Sequence, residues 1–304
     1  MARIRAKNSA PDYQKEGAFL FERMQRFLKI LIVGMVSSVV SVNCHAQKID
    51  LGTAAQYSGF FFGNVSSIPN IEGRLAVGGD LDVSGPSIGG RVPSGSTQAS
   101  LVVGGNINAF SGGSIWANGH VNSWGVYAGT KASKVAKYLD LRQAAFSPVD
   151  FAAERMNLSI LSQQLRNVSP TGTVSQLYSA VTLTGSNRDV EYFNLTADQV
   201  TSHLNFALKN IKSTAYIILN VSANDQRQVR MSISMNVFAG RGKRVLFNLP
   251  DTDVLMMQGV RVEGNVLAPY ACVKDSSGFI EGTIVAASWN TSMSIGYAPF
   301  EPLN

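Results

Sequence analysis

Three glutamates hold the same place in a recurring five-residue phrase: apolar, Glu or Gly, Gly, any residue, apolar. It reads Ile71-Glu72-Gly73-Arg74-Leu75, Ile88-Gly89-Gly90-Arg91-Val92, Val262-Glu263-Gly264-Asn265-Val266 and Ile280-Glu281-Gly282-Thr283-Ile284. Repeated carboxylates raise the question of glycoside chemistry. Cleaving a glycosidic bond needs two carboxyl groups about 5–10 Å apart, one acting as acid and the other as nucleophile or base. Glu72, Glu263 and Glu281 are the candidates. Each lies directly before a turn glycine, and that shared position favours a corner role in which the carboxylate accepts hydrogen bonds from turn amides.

Other chemistry is sparse. From Gln47 onward there are two histidines, His120 and His203, in unrelated contexts, so no metal-binding pair is visible. No P-loop, nucleophile elbow or dinucleotide fingerprint occurs. Asp80 and Asp82 lie two apart beside a Gly-Gly corner, and same-face carboxylates suit calcium. Their counterparts Asn106 and Asn108 are neutral, however, so solvated outward-facing residues are expected. No catalytic residue, metal or cofactor is assigned. Cys272, in Ala271-Cys272-Val273, is expected to be a small buried hydrophobe. Trp116, Trp124, Tyr127 and Trp289 cluster near the repeats and could stack on sugar rings, although aromatics more often fill cores.

The elements that must position these residues follow from the spacing. The phrase recurs after 17 residues in the first pair and 18 in the second. A short fixed period with turn glycines and inward apolar residues marks coils stacked into a solenoid, each covering the open face of the last. Leu75-Ala76-Val77-Gly78-Gly79-Asp80-Leu81-Asp82-Val83 is echoed by Leu101-Val102-Val103-Gly104-Gly105-Asn106-Ile107-Asn108. Each reads as a strand, a corner and a second strand, with glycine at the corner supplying positive φ. Asn118-Gly119-His120-Val121 reads as a fainter corner.

Between the two repeat blocks the period changes. Lys131 to Ala145 is partly in helical register. Ser147-Pro148-Val149-Asp150 then reads as an N-cap followed by proline at the first helical position. Phe151, Leu158, Leu161 and Leu165 fall at helical spacing, and Ser169-Pro170 closes the segment. Strands return from about 173 to 260, among them the nearly continuous apolar run Ala215–Val221, as in a strand buried on both faces. A helical insertion between repeat blocks implies one discontinuous solenoid to which both ends of the chain contribute. The expected fold is mainly β: a right-handed β-solenoid (β-helix) with one accessory α-helix packed alongside.

Met24–Lys29 is a short basic start, an apolar run extends from Ile30 to Val42, and Cys44-His45-Ala46 precedes Gln47. These are the parts of a secretory signal peptide, too short in apolar length for a comfortable membrane span of roughly 20 residues. The expected organisation is an upstream extension at 1–23, a signal peptide at 24–46 and one domain at 47–304, with no stable membrane span after cleavage. The net charge of +6 is then largely a targeting effect, since 19 basic and 17 acidic residues remain from Gln47 on. Nucleic acid is not an expected partner.

The chain resembles the choice-of-anchor A family of bacterial surface and secreted adhesin domains over roughly residues 50–300. The Ile71–Leu81 line, the Val149-Asp150-Phe151-Ala152-Ala153 helix start, and the lines Val262–Pro269 and Ile280–Ala286 carry the resemblance. It implies a secreted or cell-surface non-catalytic adhesion module whose partner is an extracellular polymer, glycan or matrix surface. The family's varied C-terminal anchors have no counterpart in Phe300–Asn304, which puts covalent attachment in doubt. An ice-binding solenoid is the alternative, because some pack a helix beside discontinuous coils. Such faces want aligned ladders of the Thr-x-Thr kind, and Asn290-Thr291-Ser292 occurs once. A polysaccharide-active β-helix enzyme is the remaining reading.

Overall fold

The computed structural model describes residues 48–303, apart from 94–95, 118–119, 122 and 202–203. The expected signal segment, His203 and the Asn118-Gly119 corner lie outside the described residues. The described part is mainly β, with parallel sheets and a single α-helix of any length, Phe151–Asn167. Its pairing is β-solenoid-like. Leu75–Val77, Leu81–Val83 and Ser87–Ile88 make one circuit of three short strands, on the first, second and third faces in that order, and each pairs in parallel with its counterpart in the next circuit.

The longest run of pairing, here the first face, has the order Asp140–Gln143, Trp124–Tyr127, Leu101–Val103, Leu75–Val77, Gly59–Phe61, Ile284–Asn290, Asn265–Lys274, Val245–Asn248, Tyr216–Ser222, Val190–Thr196. Chain order and stacking order differ. From Gly59–Phe61 the chain climbs to Asp140–Gln143 at one end. After the helix it reaches the opposite end and stacks back until Ile284–Asn290 pairs with Gly59–Phe61. The first and last repeat blocks therefore meet in register, as the separated phrases require. A three-stranded sheet, Thr173–Leu177, Ala180–Thr184 and Asn205–Lys209, accompanies the far end.

In-register parallel pairing places like beside like. On the third face Val262, Ile280, Ile295, Ile71, Ile88 and Ile115 form one inward row, none more than 2% exposed. Between its two end strands the first face is buried on both sides. Its outward row runs Asn194, Asn220, Asn248, Leu267, Val285, Phe60, Ala76, Val102, Val126, Arg142. The apolar members of this row need a cover. Leu158, Leu161 and Leu165 of the helix and Ile49, Leu51 and Ala54 near the start of the described chain build a second core over it. Each buried leucine contributes roughly 1.5–3 kcal/mol.

The amide members of the row hold the helix by hydrogen bonds. Asn248 Nδ2 donates to the Ser162 carbonyl at 2.9 Å and to Asn220 Oδ1 at 2.8 Å, and Ser162 Oγ donates to Asn248 Oδ1 at 2.5 Å. Asn220 Nδ2 donates to the Leu165 carbonyl at 2.9 Å. All four residues are buried. The network fixes the helix along its axis, which apolar packing alone does weakly.

Two local expectations change. The helix is capped by Asp150, whose carboxylate accepts the Ala153 amide at 3.0 Å. Ser147 instead caps a tight turn, its hydroxyl accepting the Val149 amide at 3.2 Å. Residues 131–145 are not helical. Ala132 and Val135 bridge to Ile107 and Phe110, and Asp140–Gln143 pairs with Trp124–Tyr127. An open sheet edge offers backbone partners to this whole segment, and they outweigh a partial helical pattern. The edge strand exposes Asp140 and Arg142, charges that discourage further pairing.

Asn248→Ala leaves Ser162 and Asn220 short of buried partners. The expected cost is about 1–3 kcal/mol, read as a lower urea midpoint at unchanged slope.

Candidate binding surface

At the corner after the third face, Glu263 pairs in register with Glu281. Two arginines bridge this acidic row and Glu72 beyond it. Arg261 donates from Nε to Glu263 Oε1 at 2.6 Å and from Nη2 to Glu281 Oε2 at 2.7 Å. Arg91 Nη1 reaches Glu72 Oε2 at 2.8 Å and Glu281 Oε1 at 3.4 Å. The bond to Glu72 chiefly raises the already high Arg91 pKa. Arg261 also stacks on Phe279, 4.6 Å from the ring centroid. The expected amide partners are thus replaced by guanidinium groups, because adjacent carboxylates in a row repel unless cations lie between them. Arg91, the fourth residue of the glycine-only copy of the phrase, carried no such signal in the sequence; only the fold brings it within reach of Glu72 and Glu281, which lie two circuits apart.

The Gly-Gly corners do a different job from the one expected. Gly78, Gly79, Gly104 and Gly105 are not in the positive-φ region, whereas Gly89 is, at 89°. The corner glycines are needed for close backbone approach. The Gly79 amide donates to the Gly63 carbonyl, Gly105 to Gly79 and Gly129 to Gly105, at 2.9–3.0 Å. A Cβ on Gly105 would stand 2.6 Å from the Gly79 carbonyl oxygen. Gly73 and Gly282 are similarly crowded, whereas Gly90 has open space around it and Gly264 is in positive φ at 156°.

Beside the glycines runs a capping ladder. The Asp80 amide donates to Asn64 Oδ1 at 2.8 Å, and the Asn106 amide to Asp80 Oδ1 at 2.8 Å. The Thr130 and Lys131 amides follow on Asn106 Oδ1 at 2.9 and 3.2 Å. Asp80 is therefore occupied as a cap, while Asp82 is exposed. An Asn or Asp after each corner glycine was the signal for this ladder. Among the described residues no cluster of three His, Cys, Asp or Glu is placed to hold a metal ion.

The second face presents a mixed polar row. Arg230 pairs with Met256, Lys274 with Asn290, Asn290 with Ser66 and Ser66 with Asp82. Arg230, Lys274, Asn290 and Asp82 are exposed. Cys272, expected to be buried, is half-buried on this face, where it pairs with Ser288.

The four aromatics part company. Trp289 is 1% exposed, tilted against Phe61 with centroids 5.4 Å apart, and its indole N–H donates to the Thr291 carbonyl at 2.8 Å. Its inward position on the strand leaves it no face for a ligand. Tyr127 packs against the inner core from the same side of its strand as Val103. Trp116 is half-buried, donating to Ser114 Oγ at 2.5 Å. Trp124 lines a cleft of about 530 Å³ between the first face and residues 144–149. Arg142 stands 4.6 Å from the Trp124 ring centroid and is itself tied to Asp140 by bonds of 2.5–3.2 Å. That bond holds the Asp140 carboxyl below its ordinary value. Tyr57 borders the same cleft; burial pushes its phenol above the ordinary 10.0, against a smaller pull from Arg74.

A family model described as "Putative Ice-binding-like adhesive domain" matches residues 50–297. The chain belongs to this family. Among solved structures, the chain is similar to an ice-binding protein from the Antarctic ascomycete Antarctomyces psychrotrophicus. That similarity is at 14% identity and a TM-score of 0.33, covering 83% of this chain and 99% of that one. A search of curated proteins returns no match.

Two outcomes test this surface. Gly105→Ala forces backbone apart at a corner and should lower the thermal midpoint, at a cost of about 1–3 kcal/mol. Tyr57 has its folded-state pKa raised, so its contribution is complete below the unfolded value near 10 and is lost as pH rises through the folded value. Tyr57→Phe should therefore lose less stability than wild type between neutral pH and the alkaline range, measured by urea titration at each pH.

Proposed function

We propose that the chain is an exported, non-catalytic adhesion module, a right-handed discontinuous β-solenoid of the choice-of-anchor A kind, which holds an extracellular surface or polymer. Membership of an adhesive-domain family supports a binding role. The observation that carries adhesion over ice binding is the outward row of the second face. Arg230, Met256, Lys274, Asn290, Ser66 and Asp82 differ in length and charge along the row. An ordered ice plane would ask for aligned small hydroxyls, whereas an irregular hydrated polymer tolerates such a mixture. The corner carboxylates support a non-catalytic reading, because each of the three is engaged by an arginine.

Export rests on the basic and apolar segments at 24–46 and the small residues before Gln47. Among the described residues no helix is long and apolar enough to cross a membrane.

The test compares retention of labelled protein on intact cells and polysaccharide-coated surfaces with thermal hysteresis of the same preparation. Retention without hysteresis is expected. Hysteresis at micromolar protein, or release of reducing sugar from a polysaccharide, overturns the proposal.

A further inference from the structure

The helix covers the part of the first face nearer Val190–Thr196, against Asn265–Lys274, Val245–Asn248 and Tyr216–Ser222. Toward the Asp140–Gln143 end its cover gives way to the segment 144–149 and the 3-10 turn Gly52–Gln56, and the cleft opens between them. The floor is apolar, formed by Val102 and Val126 of the outward row, 3% and 6% exposed. One wall is the half-buried Trp124, backed by Arg142, which does not itself line the cleft. At the rim Phe146 is 85% exposed, so core packing does not explain its presence. The side chains of Gln56 and Gln98 are exposed beside it.

Every described residue lining this cleft is uncharged. That is notable beside the corner network and the second face, both dense in Arg, Lys, Asp and Glu. The two arginines beside the lining are engaged elsewhere, Arg74 with the Gln56 carbonyl and Ser96, and Arg142 with Asp140, so the lining itself offers no charged partner for a phosphate or a carboxylate. It does offer aromatic faces next to amide groups that both donate and accept. A neutral pyranose has the matching chemistry, with apolar C–H faces on the ring and hydroxyls around its edge. The volume falls within the roughly 300–1,000 Å³ typical of small-ligand sites.

We propose that this cleft binds the terminal sugar rings of a neutral glycan. Trp124 and Phe146 lie against the C–H faces of the sugar, and Gln56 and Gln98 exchange hydrogen bonds with its hydroxyls. The proposal rests on the adhesive reading for the source of its ligand. The fixed orientation of Trp124 matters because a ring already held by Arg142 loses little freedom when a sugar stacks on it.

The test uses the full chain with neutral trisaccharides as probes: cellotriose, mannotriose and tri-N-acetylchitotriose. Tryptophan fluorescence and calorimetry report binding, and the same sugars compete in the cell-retention assay. At least one trisaccharide should bind and shift the emission, and Trp124→Phe should abolish that shift. Phe146→Ala and Gln98→Ala should each raise Kd about tenfold or more with the thermal midpoint unchanged, since both side chains are exposed. Binding that all three variants leave intact overturns the proposal, as does the absence of binding by every probe at millimolar concentration. Retention on cells that no sugar competes and no variant weakens removes the cleft but leaves adhesion standing. Sugar binding in the cleft without retention on any surface removes the adhesive reading and leaves the cleft.

Discussion

In-register parallel pairing along the first face is the constraint on which the rest of the molecule depends. Ten strands lie side by side in the order that joins Asp140–Gln143 to Val190–Thr196, and residues sit beside their counterparts in the neighbouring circuit, with one register shift between Ala268 and Cys272. Any property of one residue is therefore repeated along a row. A row of isoleucines becomes a core, a row of corner glycines a line of close amide–carbonyl contacts, and a row of glutamates an electrostatic problem that arginines must solve. The pairing also closes the chain on itself, because Ile284–Asn290 lies between Gly59–Phe61 and Asn265–Lys274.

Burial of the first face on both sides follows from the same rows. Its outward row cannot face water, since most of its members are apolar, so a cover must be found. The helix and the segment around Leu51 supply it, and Asn220 and Asn248 set where the helix lies. The cover fits closely where Asn220 and Asn248 hydrogen-bond the helix. It is looser over Val102 and Val126, and there the surface gains a concave, uncharged site. Scaffold and cleft thus have one origin: a sheet face that needs covering, and a cover shorter than the sheet.

Charge is distributed in keeping with this division. The corner carboxylates lie between Arg91 and Arg261, and the edge strand carries the Asp140–Arg142 pair. Solvent-screened pairs of this sort contribute little each to stability. Their larger effect is on which strands can be neighbours. Like-charged residues in register are tolerated only where a guanidinium spans them, and an edge strand with both charges exposed resists further stacking.

Period and polarity were legible along the chain: the phrase at 71, 88, 262 and 280, the helical stripe from Phe151 to Leu165, and the doubly apolar strand around Ile218 each depend on local alternation. These features imply stacking, one accessory helix and contact between distant repeat blocks, because the hydrophobic pattern of a strand or helix is set within a few residues. The partners of polar side chains could not be read this way. Arg91 meets Glu281 across 190 positions, Ser162 meets Asn248 across 86, and Asp80 caps an amide 26 residues on. The sorting of the aromatics was likewise hidden, since inward and outward positions alternate and only the register places Trp289 inside and Trp124 on a cleft. By itself the sequence determined which segments would stack. Tertiary structure alone decided which side chains faced each other once they had, because a contact between circuits depends on register and not on distance along the chain.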